Sequence, residues 1–431
     1  MSLELLAAAT ALPVRRVPWR GGRRCAAPFD QDAVTLAAEA VLALHKQSDA
    51  RPAALLLATV SPPYEEGGNA QLVAELTGLG ESLFCAELTA TPRDGLAALR
   101  LADGLVAAGG GPVIVCAAHR ARRSGERDAG DGAVALLVDR DGGVATLTPG
   151  PAHAEELRDR WRRSGDAEPR EADPSFADEL GAPRVAALVA AACARPAPAV
   201  VGVGEAGPVA DRELQAAICV GSARAGARAE RALGGPGDRA VASTGLLGAA
   251  HPLLRVALAG DRPTVVVVAS GGLGEATIVT PGEGAAELAS ALQAQVDGGR
   301  EADSAPGDPA QVGFDPYASA PRAWRERAQD LRLEGVVHDG RVLFPPPAGV
   351  DGPRRGLARR GRVITWTRDH VYPGADTVDM AVVALADGNR FYGQVAADDE
   401  VAIDDEVTLV PRRLHDGGGV VQYFWKVASC R

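Results

Sequence analysis

Short apolar runs separated by Ala-rich segments, repeated twice along the chain, constrain its fold more than any other feature. Residues 53–59, 113–117 and 133–138 form the first set of runs, and 199–203, 264–269 and 276–280 the second. Each is short enough for a strand and apolar enough to be buried on both faces. Between them the segments 34–44, 95–107, 184–194 and 212–220 read as helices, so the strands should pair largely in parallel with helices covering the sheet. Both rounds close alike. Gly130-Asp131-Gly132 precedes the run 133–138, and Ser270-Gly271-Gly272-Leu273-Gly274-Glu275 precedes 276–280.

At 431 residues the chain is too long for one ordinary domain. Its texture changes after the stretch 298–316, which is rich in Gly, Pro and Asp, has no periodicity and reads as a linker. Beyond it, 362–367, 377–385, 390–395, 406–411 and 420–427 are five short β-rich runs, the spacing of a small barrel. Basic charge is carried almost wholly by arginine, Lys46 and Lys426 being the only lysines, and the net charge of −11 gives no positive field for nucleic acid. Six scattered cysteines without a CxxC pair exclude a disulfide framework and a thiolate metal site. With no basic-then-apolar leader and no long apolar span, the expectation is a cytoplasmic protein outside the membrane.

The segment from Leu88 through Thr89-Ala90-Thr91-Pro92-Arg93-Asp94-Gly95 to Leu96, together with Gly130-Asp131-Gly132-Ala133, resembles the thiolase superfamily. Within it the likeness is to 3-hydroxy-3-methylglutaryl-CoA synthase and ketoacyl synthase III. Phe29 to Ala40 is similar to that family's first amphipathic helix, and Leu55 to Thr59 to the strand that follows. The resemblance implies a duplicated α/β fold, an αβαβα sandwich, with a thiolase-like half over 1–150 and a second over 151–297. From Trp324-Arg325-Glu326-Arg327 through Phe344-Pro345-Pro346 and Gly388-Asn389-Arg390-Phe391-Tyr392-Gly393 to Tyr423-Phe424-Trp425-Lys426, residues 317–431 resemble the acyl-CoA-associated OB-fold family. Members of that family begin with a helix and a zinc hook and dock onto thiolases. Here the hook's cysteines are absent, and Val336, His338 and Asp339 near their place cannot assemble a zinc site, so no zinc is expected.

The same resemblance locates what the chain has lost. Aligned on Gly95, Pro92 stands where the acylated cysteine belongs, and proline can neither be acylated nor donate a backbone N–H. Val60 stands at the general acid, Gly204 in the segment that carries the histidine, and Leu246 at the asparagine. His251 is a candidate displaced base, Cys85 a candidate displaced nucleophile, and Glu65 and Glu205 are candidate acids. The expectation is a non-catalytic subunit that scaffolds a thiolase-type C-acyltransferase and completes its coenzyme A thioester cleft. The alternatives are an active condensing enzyme with a non-standard nucleophile and, third, an OB-type single-strand nucleic-acid binder. A separate thiolase subunit is the expected partner, with a homodimer through the thiolase-like halves as the other possibility. Trp161 and Phe176 are candidate anchors of a partner surface, and Trp366, Arg368 and Tyr372 are candidate contacts on a barrel tethered by a flexible linker. Deleting 317–431 is expected to leave the N-terminal part folded.

Overall fold

The computed structural model describes residues 3–121, 128–166, 169–172, 174–194, 215–220, 229, 239–305, 319–371, 377–417 and 419–430. The first round of elements is Leu3–Ala11 (β1), Arg15–Trp19 (β2), Gly22–Cys25 (β3), Ala33–Leu44 (α1), Ala54–Thr59 (β4), Asn69–Thr77 (α2), Phe84–Leu88 (β5), Asp94–Ala107 (α3), Val113–His119 (β6) and Gly132–Asp139 (β7). The second is Ala145–Ala154 (β8), Arg160–Trp161 (β9), Arg170–Glu171 (β10), Pro174–Cys193 (α4), Gln215–Val220 (β11), Arg239–Thr244 (α5), Ala250–Ala257 (α6), Thr264–Ser270 (β12), Leu273–Pro281 (β13), Ala285–Asp297 (α7) and Arg300–Glu301 (β14).

Nine of these strands form one mixed sheet in the order β11-β12-β13-β8-β1-β7-β6-β4-β5. Parallel pairing holds for β4 with β5 and β6 and for β11 with β12, where a helix or long connection intervenes. Strand β8 pairs with β1 on one side and β13 on the other. Strands from 1–150 and from 151–297 share one continuous sheet, and both stretches fall in one compact unit except for Ala27–Glu39 and Gln71–Gly80. Their common core joins Leu56, Leu96, Leu99, Val115 and Leu136 of the first round to Leu253, Val266 and Leu292 of the second. Helix α3 buries Leu96, Leu99, Ala102 and Val106, a helical spacing that lays one face on the sheet.

Two expectations are corrected. The segment 212–220 read as helical from its alanines, but Gln215–Val220 is a strand, matched residue for residue with the β-branched run of β12. The linker expected over 298–316 is structured at its start: Arg300 N donates to Val14 O at 2.7 Å and Ala302 N to Arg16 O at 2.8 Å, which adds β14 to β2. Residues 306–316, the apolar run 199–203, Gly204, Glu205 and Tyr372 lie outside the described residues.

The second compact unit is not contiguous in sequence. It combines Ala27–Glu39 and Gln71–Gly80 with the chain from Pro306 onward. Its later elements are Ala320–Asp330 (α8), Glu334–His338 (β15), Arg341–Leu343 (β16), Arg354–Gly356 (β17), Arg360–Asp369 (β18), Val378–Leu385 (β19), Arg390–Gln394 (β20), Glu406–Gly417 (β21) and Val420–Ser429 (β22). Ser319 caps α8 by accepting from Arg322 N at 3.4 Å. All five C-terminal β-rich runs are strands, in one antiparallel sheet ordered β20-β19-β18-β21-β22. Among the described residues the ladders do not close into a barrel; a single bridge, Val395 to Val427, links the two ends. In the segment read as a degenerate hook without zinc, β16-β15-β17 form a small sheet, and Phe344 stacks on Phe391 at 6.1 Å, which stacks on Phe424 at 5.9 Å.

A buried ionic cluster ties the front segment of this unit to β21 and β22. Asp30, fully buried, accepts from Lys426 Nζ at 3.0 Å and from Ala397 N at 3.0 Å. Arg412 lies 3.8 Å from Asp30 and is bonded to Glu39. Asp32 accepts from Thr35 N at 2.9 Å and from Tyr423 Oη at 2.8 Å, and its burial pushes its carboxyl above the usual range. These contacts argue against the expectation that the N-terminal part stays folded without 317–431, because Ala27–Glu39 groups with the residues that would be deleted. Among the described residues no helix is long and apolar enough to cross a membrane.

Candidate functional site

The C-terminal ends of β4, β5, β6, β11 and β12 open onto one cavity of about 180 Å³, the place where α/β sheets present their chemistry. Val60 and Ser61 follow β4, Thr89 to Pro92 follow β5, and His119 and Arg120 end β6. The second round supplies Cys219 of β11, Leu246 and Gly248 of the turn before α6, His251 and Pro252 of α6, and Val268 and Ser270 of β12. Arg160, Trp161 and Arg162 form another wall. At this volume the cavity is smaller than a typical cofactor pocket of roughly 300–1,000 Å³. It has room for the reacting end of a ligand, not for a whole nucleotide.

The turn ahead of α3 is fastened by its own first residue. Asp94 Oδ2 accepts from Ala90 N at 2.7 Å and from Thr91 N at 3.0 Å, so these two amides are occupied by a carboxylate. An oxyanion generated beside this turn would meet that negative charge and find both donors taken. Arg93 lies 3.5 Å from Asp94 and 3.4 Å from Glu275, while Arg100 is ion-paired with Glu275 and donates to Gly150 O at 2.7 Å. Glu275, the end of the second glycine-rich turn, thus holds the turn of the first round.

Gly130-Asp131-Gly132 works in the reverse direction. Gly130 N donates to Leu246 O at 2.9 Å and Leu246 N to Asp128 O at 2.8 Å, seating the second-round turn against the first-round loop. Asp131 accepts from Ala121 N at 2.6 Å and pairs with Arg120. A Cβ at Gly130 would lie 1.8 Å from Thr244 O, a backbone atom that cannot swing aside. Gly130→Ala should cost about 3 kcal/mol, the upper end for overpacking, read from the shift in denaturant midpoint; a loss below about 1 kcal/mol would refute this packing role.

Pro92, Val60, Leu246 and His251 are thus brought together in one cavity lining. Cys85 is not: it sits on edge strand β5, away from the cavity lining, and burial, reinforced by Glu87, raises its thiol pKa. Glu65 stands on the outside, accepting from Arg162 at 3.2 Å and Ser164 at 2.8 Å. Trp161, expected as a partner anchor, lines the cavity wall; the Phe176 side chain is outside those described.

His119 and Arg120 were missed; Cys219, whose apolar run reads as core, is a buried member of the core cluster at the edge of the cavity. His119 stands two residues after the apolar run 113–117, and that position at a strand's C-terminal end was the available signal. A Cβ on Gly248 would come within 2.6 Å of His119 Nδ1, so the glycine lets the turn lie against the imidazole. Both histidines are nearly inaccessible, 3% exposed for His119 and 2% for His251. Among the described residues no group of three His, Cys, Asp or Glu side chains converges to hold one metal ion. Near the expected hook, Val336 is buried within β15, and His338 is an exposed neighbour of Asp339 at 3.5 Å.

No family model matches the chain. The hydroxymethylglutaryl-CoA synthase of Pyrobaculum neutrophilum is 31% identical over 149 residues, covering 33% of this chain and 42% of that protein. The enzyme of the same description from Pyrobaculum aerophilum is 29% identical over 149 residues, covering 33% and 43%. The chain thus spans less than half the length of these curated relatives. Among solved structures, the HMG synthase of the curacin biosynthetic pathway in complex with holo donor-ACP is similar at a TM-score of 0.57 and 16% identity, over 92% of this chain and 100% of that one. MvaS in complex with 3-hydroxy-3-methylglutaryl coenzyme A gives 0.54 and 18%, over 70% and 90%. The 3-oxoacyl-[acyl-carrier-protein] synthase III of Aquifex aeolicus gives 0.50 and 16%, over 64% and 99%. The fold is therefore the mixed α/β, thiolase-like fold of HMG-CoA synthases and ketoacyl synthase III.

Proposed function

We propose that this chain is an acyl-CoA-site subunit of a thiolase-type C-acyltransferase assembly, in which it scaffolds a separate catalytic thiolase and helps complete its thioester cleft. One observation carries the reading: the turn that should hold the nucleophile has no thiol, and Asp94 occupies the amides of Ala90 and Thr91. Val60 and Leu246 line the same cavity without a proton or a donor to offer. The likeness to HMG-CoA synthases supports acyl-CoA as the ligand class, and a strand order with its ends bridged at Val395 and Val427 supports an OB-type C-terminal module. In this reading the module works without zinc, and Trp366, 39% exposed, and Arg368, paired with Asp379, remain candidate contacts with the partner. A homodimer through the thiolase-like part is the alternative assembly.

The purified chain alone should form no carbon–carbon bond from acetyl-CoA, with or without acetoacetyl-CoA, and a thiolase encoded beside it should co-purify and need it for activity. Pro92→Cys alone should not restore condensation, because Asp94 still fills the turn. Condensation by the isolated chain, or full activity of the thiolase without it, would overturn the scaffold role. The second reading, an active condensing enzyme with a non-standard nucleophile, is favoured by one observation: Cys219 and two buried histidines line the cavity that Pro92 faces.

A further inference from the structure

We infer that residues 159–166 form a strap over the mouth of the cavity, latched by Glu65, and that release of this latch opens the way in. The inference depends neither on acyl-CoA as the ligand nor on the scaffold role. Arg160, Trp161 and Arg162 of the strap belong to the cavity lining, and so do Val60 and Ser61, at the start of the loop that carries Glu65. The Arg162 side chain is 21% exposed, so this wall stands at the rim, between the cavity and solvent. Glu65 joins the two sides. One of its carboxylate oxygens accepts from Arg162 Nη1 at 3.2 Å and the other from Ser164 Oγ at 2.8 Å.

The two fastenings of the strap differ in kind. At its first residue, Asp159 Oδ1 accepts from Gly271 N at 3.0 Å and Asp159 O accepts from Ala172 N at 2.8 Å. Gly271 and Gly272 hold the turn that offers the first of these amides at φ of 63° and 74°, a conformation glycine adopts without strain. This end is the anchor. The other end is held through the side chains of Arg162 and Ser164 on Glu65, itself 51% exposed, and an ion pair in that setting adds little stability and is screened by salt.

Between anchor and latch, β9 and β10 pair with each other over two positions, Arg160 with Glu171 and Trp161 with Arg170, in a sheet separate from the nine-stranded one. A ladder this short sits at the low end of local stability. Past it, Asp166 N donates to Arg163 O at 3.1 Å, Gly165 turns the chain at φ of 80°, and Arg162 Nη1 also reaches Asp166 O at 3.5 Å. Arg162 and Ser164 therefore move as one turn, and loss of Glu65 frees both. The cavity volume of about 180 Å³ then describes the latched state, and it grows when Trp161 swings away from the rim.

The test compares the full chain with Glu65→Ala, by hydrogen exchange of the strap and by the rate at which N-ethylmaleimide alkylates Cys219, which is in the cavity lining and 4% exposed. Cys116, fully buried and outside the lining, reports general unfolding, as do the amides of β6. Exchange over 160–164 and alkylation of Cys219 should both rise about fivefold in Glu65→Ala, with Cys116 and β6 unchanged. In about 1 M KCl the unsubstituted chain should approach the variant while the variant itself does not respond, a dependence that lost packing would not produce. Unchanged exchange in the strap, or no response of the unsubstituted chain to salt, overturns the latch. Faster exchange with Cys219 reacting as before overturns the control of entry, and an equal rise at Cys116 and β6 overturns both by making Glu65 a contributor to general stability. Because the salt series uses the unsubstituted chain, misfolding of the variant cannot hide the result.

Discussion

Replacing Asp30 by alanine is expected to destabilise the second unit by about 3–5 kcal/mol, the cost of breaking a buried ion pair by removing one partner. The carboxylate is fully buried and satisfies both Lys426 Nζ and Ala397 N, each at 3.0 Å. Its loss strands Lys426, 2% exposed, beside the Phe29 ring at 5.6 Å and the like charge of Arg412. Arg412 keeps Glu39 and so does not share the whole penalty. Burial already holds the Lys426 pKa below its ordinary value, with Asp30 opposing that shift; without Asp30 it should fall further. A lysine with a lower pKa folded than unfolded binds fewer protons in the native state, so the variant should regain stability as pH rises toward the unfolded value of about 10.4. Urea unfolding at about pH 7 and pH 9.5 reads both effects. Adding Lys426→Met should return at least about 1 kcal/mol, since an apolar pair no longer buries a lone charge. A loss under 1 kcal/mol, or a double variant as unstable as the sum of the singles, would show that the cluster does not fasten this unit.

That cluster also marks the limit of what the sequence disclosed. The five C-terminal strands were legible because alternation and turn residues are local signals, and α3 was legible from the spacing of Leu96, Leu99 and Val106. The bond from Lys426 to Asp30 spans 396 residues and that from Tyr423 to Asp32 spans 391, so no local pattern announces that Ala27–Glu39 folds with the C-terminal strands. Strand β11 was hidden because alanine favours helices, while the evidence for a strand lay in the valines of β12 beside it. The glycine motifs were seen, but their purpose is tertiary: Gly130 makes room for Thr244 O, and Glu275 reaches Arg93 and Arg100.

Glu275→Leu should therefore do more than weaken strand β13. The carboxylate is 2% exposed and holds Arg93, just before α3, and Arg100, about two turns farther along it. Both guanidinium groups retain some solvent, with Arg100 also bonded to Gly150 O, so the expected cost is about 3 kcal/mol, the low end for a broken buried pair. Glu275→Gln keeps an acceptor but removes the charge and should cost about half as much. The local consequence separates this role from ordinary packing. Arg93 is the link between Glu275 and Asp94, and Asp94 ties down the amides of Ala90 and Thr91. Amide exchange at Ala90 and Thr91 should then accelerate in Glu275→Leu by more than the global loss of stability accounts for, while exchange in β6 follows the global loss. Equal acceleration at both places would make Glu275 a general contributor to stability, with no special hold on the turn that faces the cavity.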